Sequence, residues 1–309
     1  PHLRLNMICE EKTPLPCEVV TNVSIVGCTV ASDASIQHMT RFIPKNTDVI
    51  IATPPKTGTT VLQQICHQLR TGGDMSFEDI HQVSPYMPQA YDMGIDLNAE
   101  QITEPRLFKA HSPLSCLPAG CKKIIAVRDP CQMVLSAFNY YRLKFDHIDS
   151  VGVVKFAEKY IGPEFFNIMY EGFLHRHDSN VLLVAYEDLL DQKQKPATIE
   201  RIAKFIGIEL TPSLLQTTLD LSSKAAMLNH VSKFDNSWSM RQIAIRGGGT
   251  NRVGTNVARA AAKVTDRPKG VLQEDAAKFV SQLWYDIIGR KVDIPSYEMM
   301  LQVLRLEQE

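Results

Sequence analysis

Three short apolar runs, each followed by a segment of helical periodicity, set the pattern of this chain. The run from Asp48 to Thr53 has the length and continuity of a strand buried on both faces, and Val61, Leu62, Ile65 and Leu69 then recur at helical spacing. The pattern returns with Lys122 to Val127, followed by a helix expected from Pro130 to about Phe145. Asp129 suits the cap of that helix and Pro130 its first turn. A third run, Val181 to Tyr186, precedes a helix expected near residues 195–207, which Gly207 can close. The short run Arg106 to Ala110 adds another strand. Residues 18–30, rich in β-branched side chains, read as a strand or hairpin, residues 151–177 and 266–305 mainly as helices, and residues 246–256 as a glycine-rich basic loop.

Strands alternating with helices predict an α/β fold with a central parallel sheet flanked by helices, and place ligands at the carboxyl ends of the strands. No internal repeat, low-complexity tract or clear linker divides the 309 residues. A single domain over residues 1–309 is therefore expected, with its core at about 45–290 and residues 1–44 as an N-terminal extension.

Composition narrows the partners. The chain is 44% hydrophobic and 22% charged, which suits a globular interior, and its net charge of -1 gives no global field to recruit nucleic acid or an anionic membrane. Any anion site must be local. No apolar run approaches the roughly 20 residues that cross a bilayer, and the N-terminus shows no basic stretch leading into an apolar core. Seven cysteines in an odd, unpatterned set read as reduced thiols, so a soluble cytoplasmic protein is expected.

Three basic points fall at strand ends. After the first strand, Lys56-Thr57-Gly58-Thr59-Thr60 opens a helix, so backbone N–H groups and threonine hydroxyls make an anion site with Lys56 beside it. A triphosphate-gripping loop would carry its lysine directly after the second glycine, and Thr59 stands there instead. The same residues also fit an ordinary strand-helix turn with threonine caps and a solvated lysine. Arg128 ends the second strand, with Ser136 on the following helix; a guanidinium there can grip a phosphate through two bonds. In isolation Arg128 fits a surface arrangement with Asp129 equally well, with Ser136 bonded back to its own helix. The stretch Phe108 to Leu114 delivers Lys109 and His111 to the same edge. A histidine there can act as a general base. A lone histidine is more often structural, and the shared edge is what raises His111 above the other eight.

Together these segments resemble the cytosolic sulfotransferase family. Lys56-Thr57-Gly58-Thr59-Thr60 matches the family's opening loop, Lys109-Ala110-His111-Ser112-Pro113 its histidine motif, and Arg128 with Ser136 its spacing of arginine and serine at the 3′-phosphate. Tyr186-Glu187-Asp188 and Arg246-Gly247-Gly248 resemble two later blocks. The resemblance implies sulfuryl transfer from 3′-phosphoadenosine 5′-phosphosulfate (PAPS) to a hydroxyl or amine of a small-molecule acceptor, with the bisphosphate PAP as product and no metal. It implies His111 as general base, Lys56 at the leaving bridging oxygen and Lys109 at the sulfuryl oxygens. It assigns donor binding to Lys56, Thr57, Gly58, Thr59, Thr60, Arg128, Ser136, Tyr186, Ser222, Arg246 and Gly248.

Departures accompany the match. Val61 stands where the family carries an adenine-stacking tryptophan, and Gly247 replaces a lysine, so Arg252 competes with Arg246 as a phosphate ligand. The family's short dimer motif is not clearly present, which leaves a homodimer open. Two other functions fit less well: a nucleotide-binding protein that has lost catalysis, and an ATP-dependent small-molecule kinase, which lacks the lysine after Gly58.

Overall fold

The computed structural model describes residues 24–25, 28–29, 31–143, 146–247 and 270–308. The β-branched stretch near the start forms a short antiparallel pair, β1 (Ser24–Ile25) with β2 (Cys28–Thr29). The four buried runs form β3 (Val49–Ala52), β4 (Leu107–Ala110), β5 (Lys122–Val127) and β6 (Val181–Ala185). They make one parallel sheet in the order β4-β3-β5-β6, with Val49 opposite Leu107 and Lys122, and Ile124 opposite Leu182. This is the α/β fold with a central parallel sheet that the alternating pattern predicts.

The strands are apolar throughout because both faces are covered. Ile50, Phe108, Ile125 and Leu183 enter one core, and Val49, Ile51, Leu107, Ile124 and Val184 enter the other, following the strand period of two. On the Val49 face pack α2 (Thr59–Thr71), through Leu62, Ile65 and Leu69, and the helix Lys195–Ile206, through Ile199, Ile202 and Ile206. The short α1 (Asp33–Met39) and α3 (Ile80–Val83) lie in the segments flanking α2. On the Ile50 face pack α4 (Pro130–Tyr141), the helix Pro163–Leu174, and the C-terminal helices Glu274–Trp284 and Tyr297–Leu306. Each fully buried leucine, isoleucine or phenylalanine contributes about 1.5–3 kcal/mol.

Local signals set several boundaries. Asp129 accepts from the main-chain N–H groups of Cys131 and Gln132 at the start of α4, and Gly207, at φ 83°, closes the helix Lys195–Ile206. The helix expected to reach Phe145 ends at Tyr141, with Arg142 as its cap; residues 144–145 lie outside the described residues. At the amino ends of β3 and β4, Arg106 donates to both carboxylate oxygens of the buried Asp48, at 2.8 and 2.7 Å. That planar pair ties the two strands together at their starts. Among the described residues, no helix is long and apolar enough to cross a membrane.

The chain leaves β3 for β4 on one side and later returns to place β5 on the other. The order of the sheet reverses at β3, and the loop that follows β3 stands at the reversal, where open α/β sheets form a crevice.

Candidate active site

The loop after β3 owes its shape to buried hydroxyls and one glycine. Thr57 donates to the Pro54 carbonyl at 2.6 Å, and the Thr53 and Thr59 hydroxyls share a hydrogen bond at 2.5 Å. These bonds turn the threonines inward and leave the main chain to line the crevice. Lys56 has φ 68°, a conformation costly for a side chain with a Cβ and one that gathers at functional loops. Gly58 caps α2 at φ 94°, and a Cβ there would lie 2.7 Å from the Tyr186 ring. No side chain caps the start of α2, so its first N–H groups face the crevice with the positive end of the helix dipole.

The other strand ends converge on this loop. Arg128, after β5, is buried; its Nη1 donates to the Lys56 carbonyl at 2.5 Å, and its guanidinium lies 4.2 Å from the centre of the Tyr186 ring. The Nε of Arg128 is buried and meets no hydrogen-bond partner. Tyr186, directly after β6, thus touches both the loop glycine and the arginine. Ser136 lies half-buried two turns into α4, and Tyr140, one further turn along, places its ring 4.1 Å from the Lys56 ammonium.

His111, after β4, has Nδ1 2.6 Å from the Thr53 carbonyl of β3's continuation. A carbonyl accepts only, so Nδ1 carries a proton, and in the neutral ring the lone pair is on Nε2. Lys109 is buried; its main-chain N–H donates to the Pro85 carbonyl at 2.8 Å, and its ammonium lies 4.8 Å from the centre of the Tyr86 ring. Tyr86 in turn packs against His111, with ring centroids 5.4 Å apart, and burial pushes its phenol well above the usual range.

The structure therefore brings together Lys56, Thr57, Gly58, Thr59, Thr60, Lys109, His111, Arg128 and Tyr186 at the carboxyl edge of one sheet, with Ser136 one turn before Tyr140 on α4. Ser222 has a buried hydroxyl that donates to the Thr218 carbonyl at 2.6 Å, and its own carbonyl accepts from Lys195 at 2.8 Å. Arg246 lies against Gly94, in the wall of a cavity of about 700 Å³ shared with His38, Arg41, Met87, Tyr91 and Asp92, towards the β4 side of the sheet. Gly248 and Arg252 lie outside the described residues. Val61 packs between the Val49-face core and a smaller cluster of Phe77, Ile80, Met227 and Phe234.

Glu187 and Asp188 serve as anchors. Glu187 accepts from the Asp129 main-chain N–H and from the Tyr297 hydroxyl, and Asp188 pairs with Arg305 at 2.7 Å. The bonds from Tyr297 and Arg305 hold the C-terminal helix against the segment that follows β6. Sequence reasoning missed Tyr86 and Tyr140 as parts of the site. Tyr140 stands four residues after Ser136 on one helical face, a spacing legible in advance; Tyr86 carried no comparable signal.

The sequence matches the sulfotransferase domain model over residues 46–253. It is 26% identical over 193 residues to human sulfotransferase 4A1, covering 59% of this chain and 67% of that protein. Against sulfotransferase 2A1 of Macaca fascicularis it is 30% identical over 213 residues, covering 62% of this chain and 71% of that protein. Among solved structures, retinol dehydratase in complex with androsterone and the inactive cofactor PAP superposes with a TM-score of 0.60 at 21% identity, over 81% of this chain and 83% of that one. Mouse sulfotransferase SULT7A1 complexed with PAP gives 0.50 at 21% identity, over 64% and 72%.

Proposed function

We propose, because this chain belongs to the sulfotransferase family, that it moves a sulfuryl group from PAPS to a hydroxyl or amine of a small-molecule acceptor. The observation that carries the proposal is the joining of the Lys56 loop, His111 and Arg128 at one sheet edge by direct bonds. A nucleotide with phosphates at two separate positions needs two linked anion sites, and the bond from Arg128 to the Lys56 carbonyl links them.

The residues fit such a donor. The buried, unpartnered Nε of Arg128 is an N–H that a phosphate oxygen would satisfy, and Gly58 keeps the loop backbone open where a Cβ would strike Tyr186. The Gly58–Thr60 main chain and Lys56 would hold the 5′ end, and Arg128 with Ser136 the 3′-phosphate. Tyr186 supports the guanidinium from one face. PAPS, when bound, supplies a sulfuryl group on a phosphate leaving group.

In this mechanism His111 takes the acceptor's proton on Nε2, with Nδ1–H held by the Thr53 carbonyl so that the ring neither turns nor changes tautomer. Lys56 offsets charge on the departing oxygen, and Lys109 with the helix N–H groups offsets charge on the transferred oxygens. Lys56 sits over Tyr140, which holds the ammonium near the crevice without neutralising it. Cys66, Cys121 and Cys131 are thiols, which supports a reducing, cytoplasmic setting. The direct test is transfer of radiolabelled sulfate from PAPS to a panel of phenols, steroid alcohols and amines. Label in at least one acceptor supports the proposal; no transfer by a protein that binds PAP would reduce it to nucleotide binding.

A further inference from the structure

A buried polar cluster that the transfer mechanism leaves unexplained adjoins Lys109. Asp79, His81, Ser239 and Lys109 are 0, 4, 3 and 7% exposed. Asp79 caps α3, accepting from the His81 main-chain N–H at 2.9 Å, while Gln82 completes the reciprocal half of the cap. The same carboxylate oxygen lies 2.8 Å from His81 Nδ1. Its other oxygen accepts from the Ser239 hydroxyl at 3.0 Å. On the far side of the imidazole, His81 Nε2 lies 3.5 Å from the Lys109 ammonium.

The chemistry of these groups fixes the protons. A carboxylate receiving several N–H and O–H donors is ionised and accepts only, so His81 Nδ1 carries a proton toward it. The ring is then the Nδ1–H tautomer, and Nε2 presents a lone pair to the ammonium. Helix capping alone needs the carboxylate of Asp79 but no imidazole facing Lys109. Nor does pinning the helix Ser237–Ile245 need one, since Ser239 does that directly.

We propose that Asp79 and His81 are positioning residues for Lys109: the carboxylate sets the imidazole tautomer, and the imidazole lone pair orients the ammonium toward the reaction. The role rests on the function of Lys109 given above. The pair also explains why the buried Lys109 points one way. Its main chain is held by Pro85, and its ammonium lies over the Tyr86 ring and 3.5 Å from His81 Nε2.

Two measurements test this separately from the transfer reaction itself. Long-range proton–nitrogen correlation spectra, with the His81 signals assigned by their absence in His81→Phe, should show Nδ1 protonated and Nε2 bare, with Nε2 shifting in Lys109→Met. The opposite tautomer, or an Nε2 signal indifferent to Lys109→Met, would overturn the proposal. In turnover, followed as PAP released from PAPS with 2-naphthol as acceptor, His81→Phe should lower kcat by about 10- to 100-fold, the scale of a misplaced reacting group, with PAP affinity unchanged. His81→Gln, whose amide oxygen can accept from the ammonium, should recover most of the loss, and His81→Phe should cost nothing further in a Lys109→Met background. An equal loss in that background would show a merely structural role and reject the proposal. If the wild-type protein releases no PAP with 2-naphthol or with any acceptor of the panel above, the transfer function fails, and the tautomer spectrum alone decides the placement of Lys109.

Discussion

Arg128 and Lys56, from the ends of neighbouring strands, are joined by a bond from the guanidinium to the lysine carbonyl at 2.5 Å. The lysine's backbone, rather than its charge, is what the arginine holds. That bond couples the loop's shape to the residue assigned to the 3′-phosphate. Arg128→Lys keeps the charge but loses the planar fork and the contact with Tyr186. It should weaken PAP binding by about 1.5–3 kcal/mol, the value of a bond to a charged group. Equal affinities by calorimetry would show that the guanidinium geometry is not used.

His111→Ala should lower turnover by about two to four orders of magnitude, the span of a positioned general base, and leave PAP affinity unchanged. Steady-state kinetics with PAPS and any accepted phenol measures both. A variant that turns over at the wild-type rate removes His111 from the mechanism.

Gly58→Ala meets two obstacles, a φ of 94° and the Tyr186 ring 2.7 Å from the new Cβ. Backbone strain of this kind costs about 1–3 kcal/mol. We expect lower stability in urea together with weaker PAP binding. The double variant Gly58→Ala, Tyr186→Ala should regain space but not stability, because the backbone strain persists. Full recovery in the double variant would place the whole cost in the ring contact.

The parallel sheet was legible in the sequence because each of its strands is a short apolar run covered on both faces, so burial left an unbroken signal. The convergence of Lys56, His111 and Arg128 followed from the rule that loops at the carboxyl ends of parallel strands share one edge. Side chains reaching that edge from elsewhere were not legible. Tyr86 and His81 come from a segment with no regular period, and Arg246 ends a helix whose docking against Gly94 depends on tertiary packing. For Ser222, which the family resemblance assigns to the donor, nothing in the sequence signalled that its hydroxyl also donates to the Thr218 carbonyl one helical turn back.

Stability should fall as the pH drops below neutrality, in part through His67. Burial, and secondarily the Arg70 guanidinium, push its imidazole down to about 4 from 6.5. The unfolded chain takes up this proton first, so the stabilisation is complete above pH 6.5 and is lost as the pH falls toward 4. The full loss is on the order of 3 kcal/mol at 1.36 kcal/mol per pKa unit. Urea unfolding across that window should show a flatter pH dependence for His67→Gln than for the wild type. Parallel curves would assign the acid sensitivity to other groups.

The most direct test of the donor site is calorimetric titration of the wild-type protein and of Arg128→Ala with PAP and, separately, with Mg·ATP. Two linked single-anion sites predict tight binding of PAP, clear weakening of it by Arg128→Ala, and little response to Mg·ATP. A preference for Mg·ATP, or PAP binding indifferent to Arg128→Ala, would contradict the account.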